Sequence, residues 1–244
     1  VTPTTQHLLE ANAENFSESS ARINVSVPED QDVNITAADV MIVFDTSASM
    51  GFQPGKFDNA TSGAKTLVDS LGPGINVGFV QFSNFAALED PLGTSDSEIN
   101  ATIDSLSPGG GTSIDAGINV AQQEFVDNAS FSTPNFMIVL ADGVDSGVRP
   151  AANDSKDNGT QIISIAYGSG ADENLMEDIS SPPKLDDGII NESDENAFVG
   201  AQADIDQIFT DIGGIIANDT ATVQDFELDY EQPGNVSGEV SLET

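Results

Sequence analysis

Two short, unbroken apolar runs each end in an aspartate, and they restrict the architecture open to this chain. Val40-Met41-Ile42-Val43-Phe44 leads into Asp45, and Ile138-Val139-Leu140-Ala141 leads into Asp142. An apolar run of this length without polar interruption reads as a strand buried on both faces. Between such runs lie segments of helical periodicity. Phe57, Ala60, Ala64, Leu67, Val68 and Leu71 form one stripe over 56–71, stopped by Gly72-Pro73-Gly74. Further strands are expected at 75–82, 136–140, 161–167 and 197–199, with an edge strand at 86–88. Further helices are expected at 95–106, where Ser95 and Glu98 form a capping box, at 112–126 and at 203–217. This alternation predicts an α/β fold: a Rossmann-like, doubly wound, mostly parallel sheet with helices on both faces. Sites in such sheets form at the carboxyl ends of strands, where Asp45 and Asp142 fall.

The flanks read differently. Residues 1–37 form a polar leader and then alternate, as in Ile23, Val25 and Val27 and again in Val33 and Ile35. Residues 219–244 return to strand-like alternation within Val223–Leu228, at Phe226 and Leu228, and again at Val240 and Leu242. Period-two alternation indicates strands with one buried face. Neither flank makes a core alone. Both are expected to build a small β region beside the main domain, 38–218, by pairing with each other or with a neighbouring chain.

Asp45-Thr46-Ser47-Ala48-Ser49 places a carboxylate and two hydroxyls at alternate positions on the turn leaving the first strand. Three hard oxygen ligands on one side of a turn suit a small hard cation such as Mg²⁺. Ser and Asp are also common turn residues, so two later segments matter. Gly109-Gly110-Gly111-Thr112 opens the expected third helix, and Asp142 closes the second apolar run. The three segments together resemble the von Willebrand factor type A domain and its metal-ion-dependent adhesion site. That motif is DxSxS, a distant Thr and a distant Asp, matched here by Asp45, Ser47, Ser49, Thr112 and Asp142. Ala48 stands where the family usually has Gly, a departure that touches turn geometry rather than a ligand.

The resemblance implies one divalent cation, Mg²⁺ first, with Ca²⁺ or Mn²⁺ as alternatives. Ser47 and Ser49 would coordinate directly, Thr112 directly or through water. Asp45 and Asp142 would act directly or through water and hold the hydroxyls in place. The mostly neutral ligand set leaves the metal net positive, so its open position accepts a carboxylate from a protein or glycan partner.

The formal charge is −35, from 41 acidic and only 6 basic residues. Such a surface repels nucleic acid and anionic membranes, so neither is an expected partner. Its self-repulsion is screened at high salt, which points to a halophilic protein from a salt-loving archaeon. Eleven of the eighteen asparagines start an Asn-x-Ser/Thr sequon: Asn15, Asn24, Asn34, Asn59, Asn100, Asn128, Asn153, Asn158, Asn191, Asn218 and Asn235. This excess predicts a glycosylated extracellular, cell-surface or appendage protein. Asn153 and Asn158 are the favoured acceptors, because their stretch is rich in Asp, Ser and Gly and expected to be exposed. The absence of Cys points away from an animal extracellular matrix protein. No stretch is long and apolar enough to cross a membrane.

Catalysis is not expected. Asp45 after an apolar strand resembles the nucleophile of haloacid-dehalogenase-type phosphatases, but that family needs a second Asp where this chain has Ser47. A nucleophilic serine needs a base, and the only histidine is His7 in the polar leader. The acidic stretch Asp186, Asp187, Glu192, Asp194 and Glu195 lacks calcium-loop spacing and reads as solvated surface. Asp90 and Asp115 are expected near the rim of the site. Two functions compete: an adhesion module binding an acidic partner through the metal, and a structural subunit of a surface layer or filament, such as a pilus. In the second, the flanking strands or the metal site contact neighbouring copies of the chain.

Overall fold

Strand β1 (Ala38–Asp45) is buried along its whole length, because its alternate side chains serve two different cores. Val40, Ile42 and Phe44 face one core; Met41 and Val43 face the other. The computed structural model describes residues 37–130, 133–143, 145, 147–181, 197–200 and 205–219, the last with side chains through 216. All of them fall in the unit Asn34–Thr244.

After β1 comes a single 3₁₀ turn, Ala48–Gly51. The order is then α1 (Lys56–Ser70), β2 (Ile75–Phe82), β3 (Ala86–Asp90), α2 (Asp96–Ser105), α3 (Ile114–Asn128) and β4 (Asn135–Ala141). It continues with α4 (Val148–Asp157), β5 (Thr160–Tyr167), α5 (Glu173–Ile179), β6 (Ala197–Gly200) and α6 (Ile205–Asp219). The strands form one sheet in the order β3-β2-β1-β4-β5-β6. Every pairing is parallel except β2 with β3. Helices α1, α2 and α6 pack on one face with Phe44, Phe79 and Leu140. Helices α3, α4 and α5 cover the other with Val43, Phe82 and Val139. This is the doubly wound α/β fold expected from the sequence.

β1 has β2 on one side and β4 on the other, so the chain reverses its direction of travel across the sheet there. That switch opens a crevice at the carboxyl ends of β1 and β4, beside Asp45 and Asp142.

Several details depart from expectation. Helix α3 begins at Ile114 with Ser113 as N-cap, so Thr112 lies in the loop before the helix and does not open it. Helices α4 and α5 are not expected from the sequence. In α4, Val148, Ala151, Ala152 and Ser155 supply a narrow buried face within an otherwise polar segment. Asp90 is not at the rim. It pairs with Phe79, partway down β2, because β3 runs antiparallel away from the crevice. The capping box of α2 is present, with Glu98 Oε2 accepting the Ser95 N–H at 3.4 Å and also the Ser95 O–H at 2.6 Å. The β flanks, His7 and the acidic stretch from Asp186 to Glu195 lie outside the described residues.

Candidate metal centre

The loops that leave β1, β2 and β4 and the loop between α2 and α3 meet at one edge of the sheet, and hydrogen bonds lock them together. Thr46 N–H donates to Phe82 O at 2.8 Å, tying the end of β1 to the end of β2. Gly109 N–H donates to Thr46 O at 2.7 Å, and Ala48 N–H to Gly110 O at 3.2 Å. Gly110 has φ 85°, a left-handed conformation that favours glycine. Asn84, in the β2–β3 turn, accepts the Gly111 N–H on Oδ1 at 2.8 Å. The glycine-rich loop carrying Thr112 is therefore pinned from two sides.

Asp45 is buried, and both its carboxylate oxygens take backbone amides. Oδ1 accepts Ser47 N–H at 2.7 Å, and Oδ2 accepts Asp142 N–H at 3.2 Å. Asp45 thus clamps the β1 loop to the β4 loop. Burial pushes its carboxyl up to about 6; hydrogen bonds from Ser47 oppose the rise, and the Asp142 charge adds to it.

Ser47, Ser49 and Asp142 converge beyond it. Ser47 Oγ and Ser49 Oγ are 2.9 Å apart. Ser49 Oγ lies 2.7 Å, and Ser47 Oγ 3.5 Å, from Asp142 Oδ1. These three oxygens form a triangle. An octahedral Mg²⁺ with oxygens at 2.0–2.1 Å has neighbouring ligands about 2.9 Å apart. The triangle fits one face of such an octahedron, with its longest edge slightly open. Thr112 stands next to it: a Cβ built on Gly143 would lie 3.2 Å from Thr112 Oγ1. Four of the five expected residues are thus joined by direct hydrogen bonds, and Thr112 packs against the residue after Asp142. Among the described residues, no group of three or more His, Cys, Asp or Glu side chains could hold a metal. Hydroxyls are therefore indispensable to this donor set.

Lys56 is a participant the sequence reading does not identify. Its Nζ donates to Asp142 Oδ2 at 2.5 Å, with the lysine side chain 4 % and the aspartate side chain 0 % exposed. The ammonium also lies 5.6 Å from the centre of the Tyr167 ring. Tyr167 O–H donates to Lys56 O at 2.9 Å. Burial, with the Asp206 charge adding, pushes the Tyr167 hydroxyl up to about 12, so it stays a neutral donor. One signal was available. Lys56 is the first residue of α1, where the helix dipole disfavours a cation, in a chain with only six cations.

Asp115, in the first turn of α3, and Asp145 lie next to one another. Asp145 Oδ2 accepts the Asp115 N–H at 3.0 Å and Oδ1 the Gly147 N–H at 2.9 Å. Burial alone would raise Asp145, but these amides outweigh it and hold its carboxyl below the ordinary value.

The sequence model of the von Willebrand factor type A domain family matches residues 39–208. The chain belongs to this family. A UPF0353 protein of Mycolicibacterium paratuberculosis is 31 % identical over 173 residues, covering 64 % of this chain and 52 % of that protein. The chain thus spans about half the length of the relatives it matches. Among solved structures, proximal thread matrix protein 1 of the mussel byssus, with a zinc-occupied metal-ion-dependent adhesion site, superposes with TM-score 0.60. Identity there is 22 %, over 76 % of this chain and 47 % of that one. The von Willebrand factor domain of Mfa5, a type V pili tip protein of Porphyromonas gingivalis, gives TM-score 0.65 at 14 % identity. That alignment covers 80 % of this chain and 98 % of the pilus domain. At these identities the structural likenesses establish the fold.

Proposed function

We propose that this domain holds one divalent cation, Mg²⁺, through Ser47, Ser49 and Asp142, with Thr112 and Asp45 completing the site, and uses it to bind an acidic group on a partner. The observation that carries the reading is the oxygen triangle of Ser47, Ser49 and Asp142. Charge supports it. Two carboxylates and the Lys56 ammonium leave the centre with one negative charge, so a divalent cation makes it net positive by one. The cation supplies Lewis acidity to an incoming oxygen anion. The chain's own residues fix the position and the charge balance. Both serine hydroxyls point at Asp142 and at each other, an arrangement that suits metal ligands of a binding module. The zinc-bearing adhesion site of the byssus protein and the pilus-tip relative support metal-dependent adhesion outside the cell.

The test is calorimetry. Protein stripped with EDTA and titrated with MgCl₂ should show a single site that is lost in Asp45→Ala. A glutamate-containing peptide should bind only the Mg²⁺-loaded protein. Thr112→Ala should weaken peptide binding more than it weakens Mg²⁺ binding, because Thr112 comes from a separate loop. Unchanged Mg²⁺ binding in Asp45→Ala overturns the site assignment. Peptide binding that survives both EDTA and Thr112→Ala moves adhesion elsewhere in the chain.

A further inference from the structure

The two most exposed large apolar side chains among the described residues both stand on the loops that build the metal centre. Phe52 is 76 % and Phe85 84 % exposed. Phe52 caps the 3₁₀ turn that contains Ser49, and its N–H donates to Ser49 O at 3.2 Å. Phe85 follows Asn84, the residue that holds the Gly111 amide, and its carbonyl accepts Ser83 N–H at 2.9 Å. These loops leave the carboxyl ends of β1 and β2, which run parallel as neighbours, so both rings sit on the edge of the sheet that carries the metal centre. The loops are held firmly. Gly51 approaches Pro108 of the Thr112 loop so closely that an added Cβ would be 2.9 Å from its Cγ. A single exposed apolar residue needs no explanation. Two phenylalanines on adjacent, pinned loops of one functional edge, in a chain of charge −35, are a different matter.

We infer that Phe52 and Phe85 form an apolar rim that selects a polypeptide partner whose metal-binding Asp or Glu is flanked by apolar side chains. This rests on the proposed metal–carboxylate reading and adds the partner's class. Charge complementarity carries it. Beyond the cation itself, the chain's surface repels a strongly acidic segment. An isolated carboxylate among apolar neighbours gains the metal contact without that repulsion. Contact with the two rings then adds affinity that salt does not screen. A uronic-acid sugar offers the carboxylate too. It carries far less apolar surface than leucine or isoleucine side chains to cover two phenyl rings, so it gains less from the rim.

The experiment uses the whole chain loaded with Mg²⁺ and blocked pentapeptides, Gly-Leu-Glu-Leu-Gly against Gly-Ser-Glu-Ser-Gly, with Gly-Leu-Gln-Leu-Gly and a glucuronate tetrasaccharide as further probes. The leucine-flanked glutamate peptide should bind about tenfold tighter than the serine-flanked one. In the Phe52→Ser, Phe85→Ser double variant that gap should close to about twofold or less, while Mg²⁺ binding by calorimetry stays unchanged. An equal affinity for the two glutamate peptides in the unsubstituted protein overturns the inference and leaves the metal reading standing. So does a gap that persists in the double variant. Tetrasaccharide binding stronger than that of either peptide, and lost in the double variant, assigns the rim to sugar instead. If the glutamine peptide binds as well as its glutamate counterpart, or EDTA changes nothing, the underlying metal–carboxylate reading is the one that fails.

Discussion

Asp45 does two jobs that conflict in the absence of metal. The hydrogen bonds its carboxylate accepts from Ser47 and Asp142 N–H clamp the loops of β1 and β4, yet its burial disfavours the charge it needs for a cation. With the folded carboxyl raised to about 6 from 3.8, the protonated form stabilises the metal-free fold. That contribution is fully present below about pH 4 and is lost as pH rises through about 6. It amounts to about 3 kcal/mol. EDTA-treated protein should therefore lose stability relative to Asp45→Asn between about pH 4 and pH 6.5, the window bounded by the ordinary and the raised value. Mg²⁺ affinity should fall as pH drops through the same range, because the cation needs the ionised carboxylate. A stability difference between the two proteins that does not change with pH would refute the assignment. Lys56 gives a second test. Lys56→Met leaves Asp142 buried without its cation, a loss that costs about 3–5 kcal/mol when one partner of a buried pair is removed. Mg²⁺ should raise the melting temperature of that variant more than that of the unsubstituted protein, since it restores a positive charge beside Asp142. The residues proposed as ligands stand out in the sequence because Asp45, Ser47 and Ser49 are local and Asp142 ends a recognisable strand. Lys56 and Asn84 do not, because their meaning lies in partners 86 and 27 residues away.

Among the elements, the sheet strands were the easiest to read, since β1, β2, β4 and β5 are short, mostly apolar segments whose central residues are buried on both faces. Helices were legible where an apolar stripe is long, as in α1, and illegible where tertiary packing overrides weak propensity. In α4, Asn153, Asp154 and Ser155 would favour a turn, but the buried Val148 and Ala152 fix the segment against the sheet. Close approach of elements is a further property that sequence conceals. A Cβ on Gly117 of α3 would lie 2.7 Å from Val43 Cγ1 and 2.9 Å from Phe82 Cδ1. Alanine is the better helix former, by about 1 kcal/mol. Overpacking a filled core costs about 1–3 kcal/mol, so the steric term wins. Gly117→Ala should lower stability in chemical denaturation and, because α3 follows the Thr112 loop, weaken Mg²⁺ binding as well. A variant as stable as the parent would show that α3 can shift off β1 without loss.

At the scale of the whole molecule, surface chemistry dominates, and it is proposed to be that of a glycosylated protein adapted to salt. Asn153 and Asn158 are exposed as expected, but Ser155 and Thr160 of their sequons are buried, with hydroxyls bonded to Ala151 O and Gln122 Oε1. Asn128-Ala129-Ser130, at the end of α3, exposes Asn128 and Ser130, but Asn128 Nδ2 donates to the buried Glu124 Oε2 at 3.0 Å. Intact-mass measurement of protein from its native source should exceed the polypeptide mass, with several of the eleven sequon asparagines modified. A bare polypeptide mass would refute this. Salt dependence follows from the balance of charges. Two exposed ion pairs, Lys65–Asp104 and Arg149–Asp178, are weakened by salt, but such pairs contribute only about 0–1 kcal/mol each. Against them stands the repulsion among 41 acidic residues with six cations in the whole chain, one of them consumed by Asp142. That repulsion acts over about 10 Å at 0.1 M salt and about 3 Å at 1 M, so screening relieves far more unfavourable energy than it removes favourable energy. The melting temperature followed by circular dichroism should rise steadily from about 0.05 M to about 3 M NaCl, over which the screening length shrinks severalfold. Measured with saturating Mg²⁺ throughout, the rise cannot come from filling the metal centre. A melting temperature that is flat or falls across that range would mean the acidic surface is already neutralised by bound cations or by its geometry, and the halophilic reading would be lost.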